Sequence, residues 1–370
     1  MKRFLSIVAL LIICTSAKTQ EIWIKDNNYI PVEIGDTGVF YVNPYSTAFF
    51  DNKEYTSNIK KGYTHPGFFI QPKVSYKLSS KTSIHAGFHM LYFAGTDSLE
   101  KLIPVLTLQV ELFEGTEMLL GSIHSKQLHF LPEPLFKPER LFTAQPEIGM
   151  QFLTNTNTFK ADSWTNWERY IKPGSKFQEV FTMGLSTIYR PNGFENRKGL
   201  TLNAFGFGVH NGGQIDSTNL QVTTMINLGG GFSYTLPILS GKTLLGFELM
   251  GFISTDKSPN PQSKYLNGNA IYPKVYVEYL SFRGELGYWR ANKFTNPRGE
   301  ELFGSYSTVN PTFDSDIRNL YTAKLIYNTE ITKGFVLGGR FETYYDPEQS
   351  VFDWAFTFKM VFDRNILIKR

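Results

Sequence analysis

The sequence holds one cysteine, Cys14, in 370 residues, and no long apolar run after its first twenty positions. A single cysteine excludes an internal disulfide framework and a thiolate zinc site. No segment beyond residue 20 approaches the roughly 18 consecutive apolar residues of a membrane-spanning helix, which excludes a helical membrane protein. Neither a glycine period nor a sustained heptad appears, so collagen-like and coiled-coil classes fall away. Charge is scarce as well. Only 19% of residues are charged, and 37 basic against 33 acidic side chains leave +4, too small a surplus to point to nucleic acid. Aromatic residues are abundant instead: 32 Phe, 20 Tyr and 5 Trp.

Lys2 and Arg3 precede the apolar stretch from Phe4 to Cys14, followed by Thr15, Ser16 and Ala17. A basic start, a short apolar run and small residues predict a secretory signal peptide over residues 1–17. Cys14 belongs to that apolar run, since Ile13 stands where a lipoprotein signal wants a small residue. Cleavage after Ala17 leaves 35 basic and 33 acidic residues and no thiol.

Alternation dominates the rest. In Val351–Phe362, Phe352, Trp354, Phe356, Phe358, Met360 and Phe362 share one parity, and Asp353, Thr357 and Lys359 the other. Successive side chains of a strand point to opposite faces, so this segment has one apolar and one polar face. The same pattern sets Leu106, Leu108, Val110 and Leu112 against Thr107, Gln109 and Glu111. It also sets Phe335, Leu337, Phe341 and Tyr345 against Arg340 and Glu342. Leu200–Val209 changes parity near Ala204–Phe205, which predicts a bulge or a misplaced strand. About sixteen such segments (14–18) run from residue 38 to 363, with short turns such as Glu114–Glu117 alternating with long loops such as 127–144 and 293–318. Strands of nine to thirteen residues suit a tilted bilayer crossing.

On this pattern the chain resembles a Gram-negative outer-membrane β-barrel of the porin type. The resemblance implies an all-β, transmembrane, antiparallel up-and-down barrel over 38–363, a periplasmic N-terminal segment at 18–37 and a tail at 364–370. It also implies outer-membrane lipid, the barrel-insertion machinery and a homotrimer or another envelope protein as partners. The aromatic-rich last strand is present, but Asp363–Arg370 extends past Phe362, where such barrels usually end.

For chemistry the sequence offers little. His85 and His89 lie about 13 Å apart at roughly 3.3 Å per residue, too far to ligate one ion. His65, His129 and His210 fall in or beside loops without a spacing signal. No outward Ser–His pair is visible, so no enzymatic activity, metal or cofactor is expected. The polar faces place Lys274, Glu278, Lys324, Glu330, Arg340, Glu342, Asp353 and Lys359 along a water-filled lumen, because so many ions in a dry core would be costly. Loop 127–144 is unusually apolar, and in general porins the third loop narrows the pore. Carried over, that makes Glu133, Lys137, Glu139 and Arg140 candidates for a constriction. Trp164 has inward parity, where it could stack on a sugar ring. The expected function is passive diffusion of small polar solutes. The alternatives are a non-conducting anchor in an envelope complex, or a transporter of hydrophobic substrates plugged by residues 18–37.

Overall fold

The computed structural model describes residues 37–369 apart from positions 214, 262 and 311. The expected signal peptide, Cys14 and all but the last residue of the plug read into residues 18–37 lie outside the described residues. Eight strands fill the first half: β1 (Phe40–Glu54), β2 (Tyr63–Ser79), β3 (Thr82–Phe93), β4 (Lys101–Phe113), β5 (Thr116–Ser122), β6 (Ile148–Asn155), β7 (Phe159–Arg169) and β8 (Glu179–Tyr189). Eight more follow: β9 (Gly199–Gly212), β10 (Thr223–Ile238), β11 (Thr243–Asp256), β12 (Asn267–Tyr279), β13 (Phe282–Asn292), β14 (Ile317–Thr332), β15 (Phe335–Asp346) and β16 (Val351–Phe362). Each pairs antiparallel with its neighbours in sequence, and β1 closes the ring by pairing with both β2 and β16. After β16 the short β17 (Ile366–Lys369) pairs with the start of β1. No helix among the described residues is long and apolar enough to cross a membrane.

The alternation sets the inside and outside of this wall. On β16, Phe352, Phe358 and Met360 point outward and are exposed, while Asp353 and Ala355 are buried on the inner side. Large apolar side chains on the outer face would be costly in water and are at ease in lipid. Residues 80–81, 114–115, 156–158, 280–281 and 333–334 make tight turns at one end, the turn end. The long connections 123–147 and 293–316 belong to the opposite, loop end.

The predicted bulge in β9 is absent. Its register with β8 and β10 runs without a shift, and Thr201, Phe205, Phe207 and Val209 all face inward. The apparent change of parity arises because the inner face itself turns from polar to apolar. Loops 123–147 and 293–316 fold down into the barrel and cover it. Leu131, Leu135 and Phe136 from the first, with Phe294, Leu302 and Phe303 from the second, form one buried apolar core. Its wall contribution includes Phe207, Phe252, Trp289 and Tyr344. The two loops are tied together by Lys137 N–H to Arg298 C=O and Glu300 N–H to Glu133 C=O, both 3.0 Å. Trp289 Nε1 donates to the Phe303 carbonyl at 3.0 Å, satisfying the polar atom of a fully buried indole.

Candidate functional site

Three polar assemblies occupy the interior. The first lies at the loop end, between the β1–β2 wall and the inserted loop. Antiparallel register sets Asp51 on β1 directly opposite His65 on β2. The inserted loop brings Glu139 to the same point, just before the one-turn helix α1 (Arg140–Thr143). One ligand atom from each of Asp51, His65 and Glu139 lies within 4.8 Å of the others, a set that could hold a divalent cation. Asp51 Oδ1 accepts from Thr357 Oγ1 at 2.5 Å and sits 3.4 Å from Lys53 Nζ. Tyr63 hydroxyl donates to Glu139. Asp51 Oδ2 and His65 Nδ1 are buried without a hydrogen-bond partner among the described residues. Buried polar atoms are nearly always paired, so these two leave hydrogen-bonding capacity for a water or a guest. Nearby, burial and then Glu301 push the Glu300 carboxyl up to about 7.

The second assembly holds the inserted loop in place. His129 is fully buried, with Nδ1 2.8 Å from Asp162 Oδ2 on β7 and Nε2 2.9 Å from Glu147 Oε2. Two carboxylates on opposite ring nitrogens require an imidazolium, because only the charged ring donates twice. Burial works against that charge, but Asp162 and Glu147 outweigh it and hold the pKa at about 9. The ring stacks on Trp164 at 3.8 Å, so His129 covers the Trp164 face read as a sugar platform. Leu128, His129 and Phe130 all have φ near +50°. A run of left-handed residues costs about 1–2 kcal/mol each and persists only when surrounding contacts impose it.

The third assembly is a charge ladder on β11–β15 toward the turn end. Lys274 pairs with Glu248, and Arg283 bonds Glu278 and Glu285 at 2.5 Å each. Lys324 lies 3.0 Å from Glu342, which also pairs with Arg340. Beneath the apolar core a cavity of about 1070 Å³ opens along this ladder.

The residues singled out for lining and constriction divide as follows. Lys274, Glu278, Lys324, Glu330, Arg340 and Lys359 line the cavity. Glu342 is buried behind it, and Asp353 instead accepts the Ser57 and Thr56 backbone N–H groups of loop 55–62. Glu133 pairs with Lys324 and with Arg340, and accepts the Tyr344 hydroxyl at 2.6 Å. Lys137 is 3.1 Å from Glu301, and Arg140 is 2.7 Å from Glu168. Glu139 belongs to the loop-end cluster. His85 bonds Ser75 at 2.6 Å and Gln109 at 2.8 Å, on the inner wall and away from the cavity lining.

Asp51 and His65 escape sequence reasoning as a pair. They are 14 positions apart, and only the exact β1–β2 register places them opposite one another. Glu139 arrives from a third element 74 positions further on, a distance no linear motif spans.

Solved structures with this fold are outer-membrane proteins of Gram-negative bacteria. OpdQ of Pseudomonas aeruginosa superposes with a TM-score of 0.52 at 10% identity, over 90% of this chain and 99% of that one. OccK8 (OprE) of the same organism gives 0.51 at 12% identity, over 91% and 99%. OccAB2 of Acinetobacter baumannii gives 0.52 at 10% identity, over 88% and 98%. At such identity the likeness shows the fold, a porin-like β-barrel. In outer-membrane barrels the short turns are periplasmic and the long loops extracellular, which names the two ends. No curated protein matches the sequence. The expectation of a barrel without enzymatic activity is overturned by the lipid A 3'-O-deacylase-type family, whose model matches residues 32–370: the chain belongs to that enzyme family.

Proposed function

We propose that the protein hydrolyses an acyl ester of lipid A at its extracellular end, in the cluster of Asp51, His65 and Glu139. The observation that carries this reading is the pair of buried, unpartnered atoms, Asp51 Oδ2 and His65 Nδ1, on residues that lie opposite one another in the β1–β2 register. Hydrolysis needs a water deprotonated as it attacks the ester carbonyl, and a proton returned to the departing 3'-oxygen. His65 Nδ1 is free to take that proton and give it back. Asp51 and Glu139 would hold a divalent cation, which when bound would polarise the carbonyl and leave His65 as the base. Tyr63 orients Glu139, and the Arg140–Glu168 pair anchors the helix turn beside it. The extracellular end also faces the outer leaflet.

Release of fatty acid from lipid A by the purified barrel tests the proposal. His65→Ala and Asp51→Asn should each abolish release without changing heat-modifiable gel mobility, and a chelator should lower it. Undiminished release from both variants would refute the site.

A second reading, passage of small polar solutes, draws on the charged periplasmic cavity of about 1070 Å³. The apolar core of the two inserted loops stands between that cavity and the exterior. Planar-bilayer recording tests this reading: discrete steps from the wild-type barrel support it, and a silent wild type opposes it.

A further inference from the structure

The periplasmic cavity has a lining that neither hydrolysis nor a purely polar solute explains. We propose that it is a binding site for a single-chain anionic amphiphile, a carboxylate or phosphate head on an alkyl tail, entering from the periplasm. The tail would lie under the apolar core and the head among Lys359, Lys333 and Arg364.

Two zones of the lining support this. Its upper part carries apolar side chains, Leu128, Leu131 and Phe136 of the inserted loop and Phe205 and Met250 of the wall, beside the pairs Glu133 makes with Lys324 and Arg340. Its lower part reaches the short turns at 280–281 and 333–334 and is charged. Nine Lys and Arg line the cavity against six Asp and Glu, a surplus of three positive charges. Every one of the six acids is already engaged. Glu248, Glu278, Glu285, Glu133 and Asp363 sit in ion pairs with lining bases, and Glu330 accepts the Gly334 N–H at 2.7 Å.

The surplus therefore falls on particular side chains. Lys359, Lys333 and Arg364 have no carboxylate within salt-bridge distance among the described residues, and all three are near the periplasmic mouth. Lys359 lies on the inner face of β16 opposite Gly338. A Cβ at Gly338 would come within 2.8 Å of the Lys359 Cε, so the missing side chain gives this lysine room to extend along the wall. A Cβ at Gly334 would come within 2.7 Å of the Arg364 Cβ and of the Asp363 carbonyl oxygen, so the backbone packs closely at the mouth.

A neutral solute would make no use of those three cations, and a small dianion would make no use of the apolar side chains above them. An anionic head on an alkyl tail satisfies both. The volume, about 1070 Å³, is at the upper end of ordinary ligand pockets and admits a long chain.

The test is equilibrium displacement of a fluorescent fatty acid from the full-length barrel in amphipol, free of detergent monomers. Dodecanoate and dodecyl phosphate should compete saturably at one site per barrel, and dodecanol at least tenfold more weakly. The double variant Lys359→Gln/Arg364→Gln should weaken dodecanoate at least tenfold, Lys359→Arg should retain it, and raised salt should weaken it. Asp51→Asn, at the far end of the barrel, should leave it unchanged, which separates this site from the hydrolytic cluster. Equal binding of dodecanol, unchanged binding by the double variant, or no saturable binding to barrels shown folded by heat-modifiable mobility would each overturn the proposal. Loss of binding in Asp51→Asn would move the ligand to the extracellular cluster and also overturn it.

Discussion

Replacing His129 by alanine should release the inserted loop from the lumen. The ring is fully buried, charged, and bonded at 2.8 and 2.9 Å to Asp162 and Glu147. Its pKa stands at about 9 against an ordinary 6.5, and each unit corresponds to 1.36 kcal/mol, so the folded loop gains about 3 kcal/mol from the charged ring. The figure agrees with the roughly 3–5 kcal/mol lost when one partner of a buried ion pair is removed. An opening equilibrium shifted by about 3 kcal/mol is roughly a hundredfold change. Leu135→Cys in a Cys14→Ser background supplies the reporter, because Leu135 is fully buried in the apolar core and the sequence has no other thiol. Water-soluble maleimide should label the introduced thiol about a hundredfold faster when His129→Ala is added. Raised folded pKa means that the stabilisation is complete below about 6.5 and is lost as pH rises through about 9. Labelling relative to an exposed control cysteine should therefore climb as the pH passes about 9. Equal labelling rates with and without His129, in barrels of normal gel mobility, would refute the assignment of the loop's anchor.

Further outcomes follow from the same contacts. Phe136→Ala should destabilise the inserted loop by about 3–5 kcal/mol, seen as lost hydrogen-exchange protection at residues 131–136 while the strands stay protected. Lys324→Met leaves Glu342 and Glu133 to share Arg340 alone and should lower the heat-modifiability midpoint, whereas Lys333→Met at the mouth should not. Deleting residues 128–139 should give discrete conductance steps in a planar bilayer if the two inserted loops close the lumen, and recordings as silent as the wild type would contradict that closure.

The wall was legible because lipid imposes a strict rule on it. Each crossing must present apolar side chains outward, and the alternation around Leu106–Leu112 and Phe352–Phe362 records that rule directly. The inner face obeys no single rule. Where loops cover it, as at Phe205, Phe207 and Val209, it becomes apolar too, and the alternation that marks a strand fades there. The composition of Leu128–Phe142 announces a loop that is not solvated, but its partner, 293–316, carries no such excess and meets it only in three dimensions. The cluster of Asp51, His65 and Glu139 was illegible for the same reason. Asp51 reads as one acid in a strand, His65 as a loop-edge histidine and Glu139 as one charge among four. What unites them is a hairpin register and the path of a folded-in loop. The enzymatic class was likewise out of reach. An outward Ser–His pair is the pattern a lipid-facing hydrolase would print on its strands, and the cluster contains neither a serine nor an outward face.

Removal of an acyl chain from lipid A by Asp51, His65 and Glu139 is tested most directly by mass spectrometry of lipid A from Gram-negative cells producing the wild type or His65→Ala. A lipid A population lighter by an ester-linked acyl chain is expected with the wild type, and unmodified lipid A with the variant. Unmodified lipid A in cells carrying abundant, heat-modifiable wild-type barrel would contradict that chemistry, and so would the same loss of mass with His65→Ala.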